Sequence, residues 1–302
     1  MSKTIIIGTR GSELALWQAH YTQALLKKAG FNSELKIIKT QGDKIQNLSF
    51  DKLEGKGFFT KEIEEALLAC EIDVAVHSHK DLPTENPEGL IIAAVSDRED
   101  PSELLLIRKE AFDKNLPLSL KANPIVGTSS ARRKSQLISF RNDVDIKDLR
   151  GNVPTRINKL REGNYDAIML AAAGVERLKI DLSEFIVLKL SPKDFVPAPA
   201  QGVLAWQIRE SDKDLFNQLQ ILNNKAVQQQ IFVERKVLNM LDGGCQLPLG
   251  VYCESNNNNC NVWVSKADAW NELPIRLHYD NVSYENLPQQ IISDLKKKSP
   301  VA

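Results

Sequence analysis

The residues of this sequence with most chemistry to offer are one cysteine, one aspartate and a set of cations that follow strand-like runs. Cys245 lies in Leu241-Asp242-Gly243-Gly244-Cys245-Gln246-Leu247-Pro248, a glycine- and proline-bounded loop. Such a loop can project a thiol as a nucleophile, and a buried structural thiol is the competing reading. Asp73-Val74-Ala75-Val76-His77-Ser78-His79-Lys80-Asp81 runs from an apolar strand into a loop crowded with ionisable groups, where catalytic side chains are commonly placed. Nearby positive charge favours the ionised form of Asp81, which can then stabilise a cation or accept hydrogen bonds. His77 and His79 share one face of an extended chain, but no third ligand stands at a recognisable spacing, so no metal is expected.

The cations cluster. In Val126-Gly127-Thr128-Ser129-Ser130-Ala131-Arg132-Arg133-Lys134 a strand end meets a glycine, three hydroxyls and the start of a helix. Helix N–H groups carry partial positive charge, hydroxyls add donors, and guanidinium forks suit carboxylate or phosphate, so this segment reads as an anion cradle. An ordinary N-cap with solvated arginines is the alternative. Leu149-Arg150-Gly151-Asn152-Val153-Pro154-Thr155-Arg156 is a second basic cluster, with Pro154 suited to the first position of a helix, and Arg177 is a third candidate. Arg10-Gly11-Ser12 follows the first strand, where Ser12 is a helix cap and Arg10 either ligand-binding or solvated. Gly55-Lys56-Gly57-Phe58-Phe59 reads either as a flap over a ligand or as a surface turn.

These residues need a scaffold. Short β-rich runs at Thr4–Ile7, Leu35–Ile38, Asp73–Val76 and Leu90–Val95 alternate with helical patterns, as in α/β units on a mainly parallel sheet. A second α/β series runs from Leu104 to about Leu190, after the charged stretch Asp97–Pro101. Pro192, Pro197 and Pro199 favour extended connecting chain, and two such crossings make a hinge. A long helical pattern from Leu219 to Leu241 is followed by short strands and a polar C-terminal helix. Residues 1–97 with 198–219 are therefore expected to form one α/β domain, 101–195 a second, and 221–302 a smaller α+β domain. Cys70 continues the apolar stripe of Ile63, Ala66 and Leu67 and is expected in the core. Cys253 and Cys260 flank an asparagine-rich hairpin tip and are expected as free thiols.

Lys plus Arg and Asp plus Glu are 39 each, so nothing in the bulk charge points to nucleic acid or an anionic membrane. Four cysteines in 302 residues, with no CxxC pair, fit a reducing compartment rather than a disulfide scaffold or a zinc site. The first residues show neither a signal peptide nor a span, so a cytoplasmic protein is expected.

Taken together, Thr9–His20, Gly55–Glu62, Asp73–Thr84, Val126–Leu137, Leu149–Arg156, Ala198–Gly202 and Gly243–Pro248 resemble, in order and spacing, the porphobilinogen deaminase (hydroxymethylbilane synthase) family. The resemblance implies two α/β domains like those of periplasmic binding proteins, joined by a hinge, plus a smaller α+β domain. It implies a monomeric transferase of heme and tetrapyrrole biosynthesis in which Cys245 holds a dipyrromethane cofactor by a thioether bond. Four porphobilinogen units are added with loss of ammonia, and water releases hydroxymethylbilane. Loss of ammonia leaves an electron-poor methylene pyrrolenine, and Asp81 matches the carboxylate that steadies its positive nitrogen. Cofactor and substrate contacts are implied for Arg10, Ser12, Lys56, Phe59, Ser78, Lys80, Thr128, Ser129, Ser130, Arg132, Arg133, Arg150, Asn152, Arg156, Ala173, Arg177 and Gln201. Each pyrrole brings two carboxylates, which explains separate cationic points on a neutral chain, best shielded in a cleft between domains. His79 stands where methionine is common, and Pro154 where the family often has glycine.

Two rivals make different demands. A two-domain binding protein for an anionic solute needs no covalent adduct, and a thiol enzyme needs His77 or His79 as base for Cys245.

Overall fold

The computed structural model describes residues 4–40, 60–244 and 246–298. The chain divides into two compact units, Met1–Glu99 with Gly202–Gln229, and Asp100–Gln201 with Gln230–Ala302.

The first unit is built on a five-stranded sheet of order β2-β1-β3-β10-β4. Its strands are β1 (Ile5–Thr9), β2 (Ser33–Ile37), β3 (Val74–Ser78), β4 (Leu90–Val95) and β10 (Leu204–Arg209). β1 pairs in parallel with β2 and β3, whereas β10 lies antiparallel between β3 and β4. Helix α1 (Glu13–Lys28) starts where expected, with Ser12 as N-cap, and α2 covers Lys61–Leu68. Trp206 is fully buried at the centre of this core, and its indole N–H donates to Thr22 Oγ1 at 2.9 Å. A large aromatic is tolerated there because its one polar atom has a partner.

The second unit repeats the pattern. Its order is β7-β6-β8-β5-β9, from β5 (Glu103–Ile107), β6 (Ile125–Gly127), β7 (Asp145–Lys147), β8 (Ala167–Ala171) and β9 (Ile186–Leu190). β6 pairs in parallel with β7 and β8, and β5 is antiparallel to β8 and β9. Helices α3 (Ala131–Phe140), α4 (Val153–Arg161) and α5 (Ala172–Leu178) follow β6, β7 and β8. Each sheet thus has three parallel strands, one reversed strand and a fifth parallel one. The chain enters the second unit after β4 and returns to supply β10. At the return, Gly202 has φ +89° and a Cβ there would collide with the Glu99 carbonyl oxygen, so only glycine fits.

Helix α6 (Lys213–Leu219) belongs to the first unit, and α7 spans Lys225–Met240. A three-stranded antiparallel sheet, β11 (Leu249–Asn256), β12 (Asn259–Lys266) and β13 (Ile275–Val282), packs its apolar face on residues of α7 and α8 (Leu287–Lys298).

Three expectations are corrected. Cys70 is exposed, because α2 ends at Leu68 and Cys70 falls in a left-handed turn with φ 56°, off the apolar stripe. The helical pattern from Leu219 is interrupted by the 3-10 turn Gln220–Leu222 and the extended Asn223 before α7 begins. Pro154 occupies the second helical position, since α4 begins at Val153. Cys253 and Cys260 are buried thiols outside any disulfide; the register sets Cys253 opposite Val262 and Cys260 opposite Ser255, and the two side chains hydrogen-bond to each other.

Candidate active site

In the first unit the functional candidates gather at the carboxyl edge of the parallel strands. Arg10 follows β1, and Ser78 ends β3 opposite Leu204. His79–Asp81 form a 3-10 turn directly beyond it. Asp81 is exposed, while Arg10, Ser12, Ser78 and Lys80 are half-buried. The Ser12 hydroxyl accepts from the Ala15 N–H at 3.4 Å, so it caps α1. Ser78 accepts from Gln18 Nε2 at 2.8 Å, which ties the end of β3 to α1.

Behind this edge runs a buried polar chain. A His77 ring nitrogen, Nε2, lies 3.1 Å from Gln207 Oε1. Gln207 Nε2 donates to Glu64 Oε1 at 3.2 Å, and Thr60 Oγ1 donates to Glu64 Oε2 at 3.3 Å. The His77 pKa is lowered to about 4: burial lowers it most, the Gln207 hydrogen bond opposes this, and the positive charge of Arg10 adds to the lowering. Burial raises the Glu64 carboxyl above its ordinary range, opposed by its bonds to Gln207 and Thr60.

In the second unit the same edge is cationic. Thr128, Ser129 and Ser130 link β6 to α3, where Ser130 caps the helix by accepting from the Arg133 N–H at 3.4 Å. The Ser129 hydroxyl donates to Leu149 O and accepts from Leu149 N, both at 3.0 Å, and Thr128 Oγ1 accepts from the Ser130 N–H at 3.3 Å. These hydroxyls therefore shape the loop as well as line it.

Arg132 and Arg133 are not the solvated pair that an ordinary cap would carry. Both are buried around Glu103, itself fully buried at the start of β5 opposite Ala171. Arg132 Nη2 donates to Glu103 Oε1 at 2.5 Å and Nη1 to Val196 O at 2.9 Å. Arg133 donates to Glu103 Oε2 from Nε at 3.0 Å and Nη2 at 2.6 Å, and to Met169 O at 3.1 Å. Gln201 Nε2 adds a bond to Glu103 Oε1 at 3.2 Å. Burial pushes the Arg132 guanidinium down from its ordinary value, Glu103 raises it and Arg133 lowers it. Among these three charged side chains there is one negative charge for two positive ones. A surplus cation held out of water is matched by an incoming carboxylate, so the donor set fits a polycarboxylate cofactor.

Asn152 caps α4, accepting from Thr155 N at 2.9 Å, and Arg156 Nε donates to Gly151 O at 2.8 Å. Arg177 and Ala173 are buried on α5, and Arg150 is half-buried. Cys245, Lys56 and Phe59 lie outside the described residues. Among the described residues no group of three or more His, Cys, Asp or Glu is placed to hold a metal ion, and no helix is long and apolar enough to cross a membrane.

The sequence reading missed Glu103, Glu64 and Gln207. Glu103 gave no signal, because an acid ahead of Leu104-Leu105-Leu106 looks like a solvated strand end. Gln207 was detectable as the one polar residue between Trp206 and Ile208.

Two α/β units of matching strand order, each with basic and hydroxyl side chains at the carboxyl edge of its parallel strands, define the class of fold. Residues 5–217 match the family model described as porphobilinogen deaminase, dipyromethane cofactor binding domain, and residues 228–267 its C-terminal domain. The chain belongs to the porphobilinogen deaminase family. It is 45% identical over 255 residues to the porphobilinogen deaminase of a Nitratiruptor species, covering 84% of this chain and 80% of that one. The porphobilinogen deaminase of Chloroherpeton thalassium is 41% identical over 295 residues, covering 96% and 92%. Among solved structures, a periplasmic binding protein of Salmonella typhimurium with high arginine specificity aligns at 13% identity with a TM-score of 0.41, covering 76% of this chain and 97% of that one. The reaction is that of a hydroxymethylbilane synthase, a transferase of tetrapyrrole biosynthesis that condenses four porphobilinogen molecules, with loss of ammonia, on a dipyrromethane cofactor.

The buried charges have measurable consequences. Glu103→Gln leaves two adjacent guanidiniums uncompensated and is expected to cost about 3–5 kcal/mol in denaturant unfolding. His77 binds its proton less tightly folded, at a pKa of about 4, than unfolded, at 6.5, so acidification through that window favours the unfolded chain. Stability of the first unit should fall by on the order of 3 kcal/mol across it, and His77→Gln should flatten that slope in urea titrations at successive pH values.

Proposed function

We propose that Cys245 is the attachment point of the dipyrromethane, that Asp81 is the catalytic carboxylate, and that the cations at the two sheet edges hold the carboxylates of cofactor and substrate. The observation that carries this reading is the pair Arg132 and Arg133 sharing the single carboxylate of Glu103. When bound, the cofactor supplies the nucleophilic pyrrole carbon on which the product is built.

The chain's own residues do the rest. Arg132 and Arg133, preoriented by Glu103, Val196 O and Met169 O, offer their remaining N–H groups in fixed directions, so little is spent on ordering them when an anion arrives. Thr128, Ser129 and Ser130 set the path of the loop ahead of α3. Arg150, Asn152, Arg156, Ala173 and Arg177 extend this edge, and Gln201 braces it through Glu103. Arg10, Ser12, Lys56, Phe59, Ser78 and Lys80 bind on the first unit's side. Asp81, the exposed last residue of its 3-10 turn, accepts the N–H of a pyrrole nitrogen and stabilises positive charge there as ammonia leaves.

The 1–97 with 198–219, 101–195 and 221–302 division is proposed as three functional domains: catalytic, anion-binding and cofactor-bearing. A monomer acting in the cytoplasm on porphobilinogen and its oligopyrrole intermediates fits a chain of zero formal charge, with neither nucleic acid nor membrane as partner.

Intact mass spectrometry of the purified chain is expected to show a dipyrromethane-sized increment that Cys245→Ala lacks; an unmodified active chain overturns the attachment. Asp81→Asn should lower turnover of porphobilinogen by roughly a hundredfold or more while leaving the unfolding transition in place, and near-normal turnover removes Asp81 from the mechanism.

A further inference from the structure

The buried chain Thr60–Glu64–Gln207–His77 is not used by the chemistry above, yet it ends one residue from Ser78 and beside Arg10. All four members are buried, at 3%, 7%, 0% and 5% exposure, so each polar atom must find its partner inside the protein.

The direction of the chain follows from donor and acceptor counting. An ionised carboxylate only accepts, and Glu64 receives Thr60 on one oxygen and Gln207 on the other. The Gln207 amide must then turn its NH2 toward Glu64 and its carbonyl oxygen toward His77. A carbonyl oxygen only accepts, so His77 Nε2 must carry the proton, and Nδ1 is left with its lone pair.

We propose that Glu64 and Gln207 are positioning residues that lock His77 in its neutral form with the proton on Nε2, and that this lock holds Arg10 and the Ser78–Asp81 turn ready for substrate. A neutral ring lets the Arg10 guanidinium stand beside it without repulsion, leaving that positive charge for a substrate carboxylate. The opposite tautomer would face the Gln207 carbonyl with a second lone pair, break the chain and let the end of β3 shift. This inference rests on the reading of Arg10 and the Ser78–Asp81 turn as substrate-binding.

Glu64→Gln is the informative variant. A second amide at position 64 can turn its own NH2 toward Gln207, which frees Gln207 to present either end to His77. Gln207→Met keeps the volume and removes the chain altogether.

The test uses the holoenzyme with nitrogen-15-labelled histidine. In the unsubstituted protein the His77 signals should report one tautomer, protonated on Nε2. In Glu64→Gln and Gln207→Met they should report a mixture or the other tautomer. KM for porphobilinogen should rise roughly tenfold in both, with a smaller change in kcat. A proton on Nδ1 in the unsubstituted protein overturns the proposal without any variant. An unchanged tautomer in both variants, or a changed tautomer with KM unaltered, overturns it as well. Arg10→Leu separates the underlying reading: an unaltered KM there refutes substrate binding by Arg10, whatever the tautomer measurement shows.

Discussion

Two guanidiniums and one carboxylate, all withdrawn from water, set the terms for the second unit. Like charges at close range repel strongly where the surroundings polarise little, and removing an ion from water is costly in itself. Arg132 and Arg133 can lie side by side on the first turn of α3 only because Glu103 bridges both. Glu103 in turn is held opposite Ala171 at the strand end, where β8 turns into α5. The same cluster recruits the returning chain, through Val196 O and Gln201, so the connection back to the first unit is anchored by the group that organises the start of α3.

The first unit is organised differently at the same edge. Its sheet has the same pattern of parallel and reversed strands, yet behind the edge lies a chain of neutral donors and acceptors closed by one carboxylate. The charged groups Arg10, Lys80 and Asp81 are left half-buried or exposed. One unit therefore carries buried positive charge at its edge, and the other a mixed edge of half-buried and exposed charges. The shared fold does not dictate this difference; it comes from what stands on β5 and β10, the two reversed strands.

Much of this was legible in the sequence. Strand-then-glycine-then-hydroxyl segments announced the helix starts after β1 and β6, because caps and strand ends leave local signatures. The α/β class followed from alternating patterns, and the proline-rich return chain marked the crossing. What escaped was long-range. Glu103 sits 29 positions from Arg132 and Glu64 143 from Gln207, and nothing local in either acid distinguishes a buried partner from a solvated one. Cys70 failed for a different reason: periodicity carries an apolar stripe forward but does not say where the helix stops, and a left-handed turn took the thiol to the surface.

The insertion of β10 between β3 and β4 has a consequence for how the chain is made. When a ribosome has released only the first hundred or so residues, the first sheet lacks an inner strand, and the facing borders of β3 and β4 carry unmatched amide and carbonyl groups. They stay unmatched until the strands of the second five-stranded sheet have emerged and Leu204–Arg209 follows them. The amino-terminal sheet is thus the later of the two five-stranded sheets to be completed, against the usual order of synthesis, and during that interval its open borders are a target for chaperones and for mispairing.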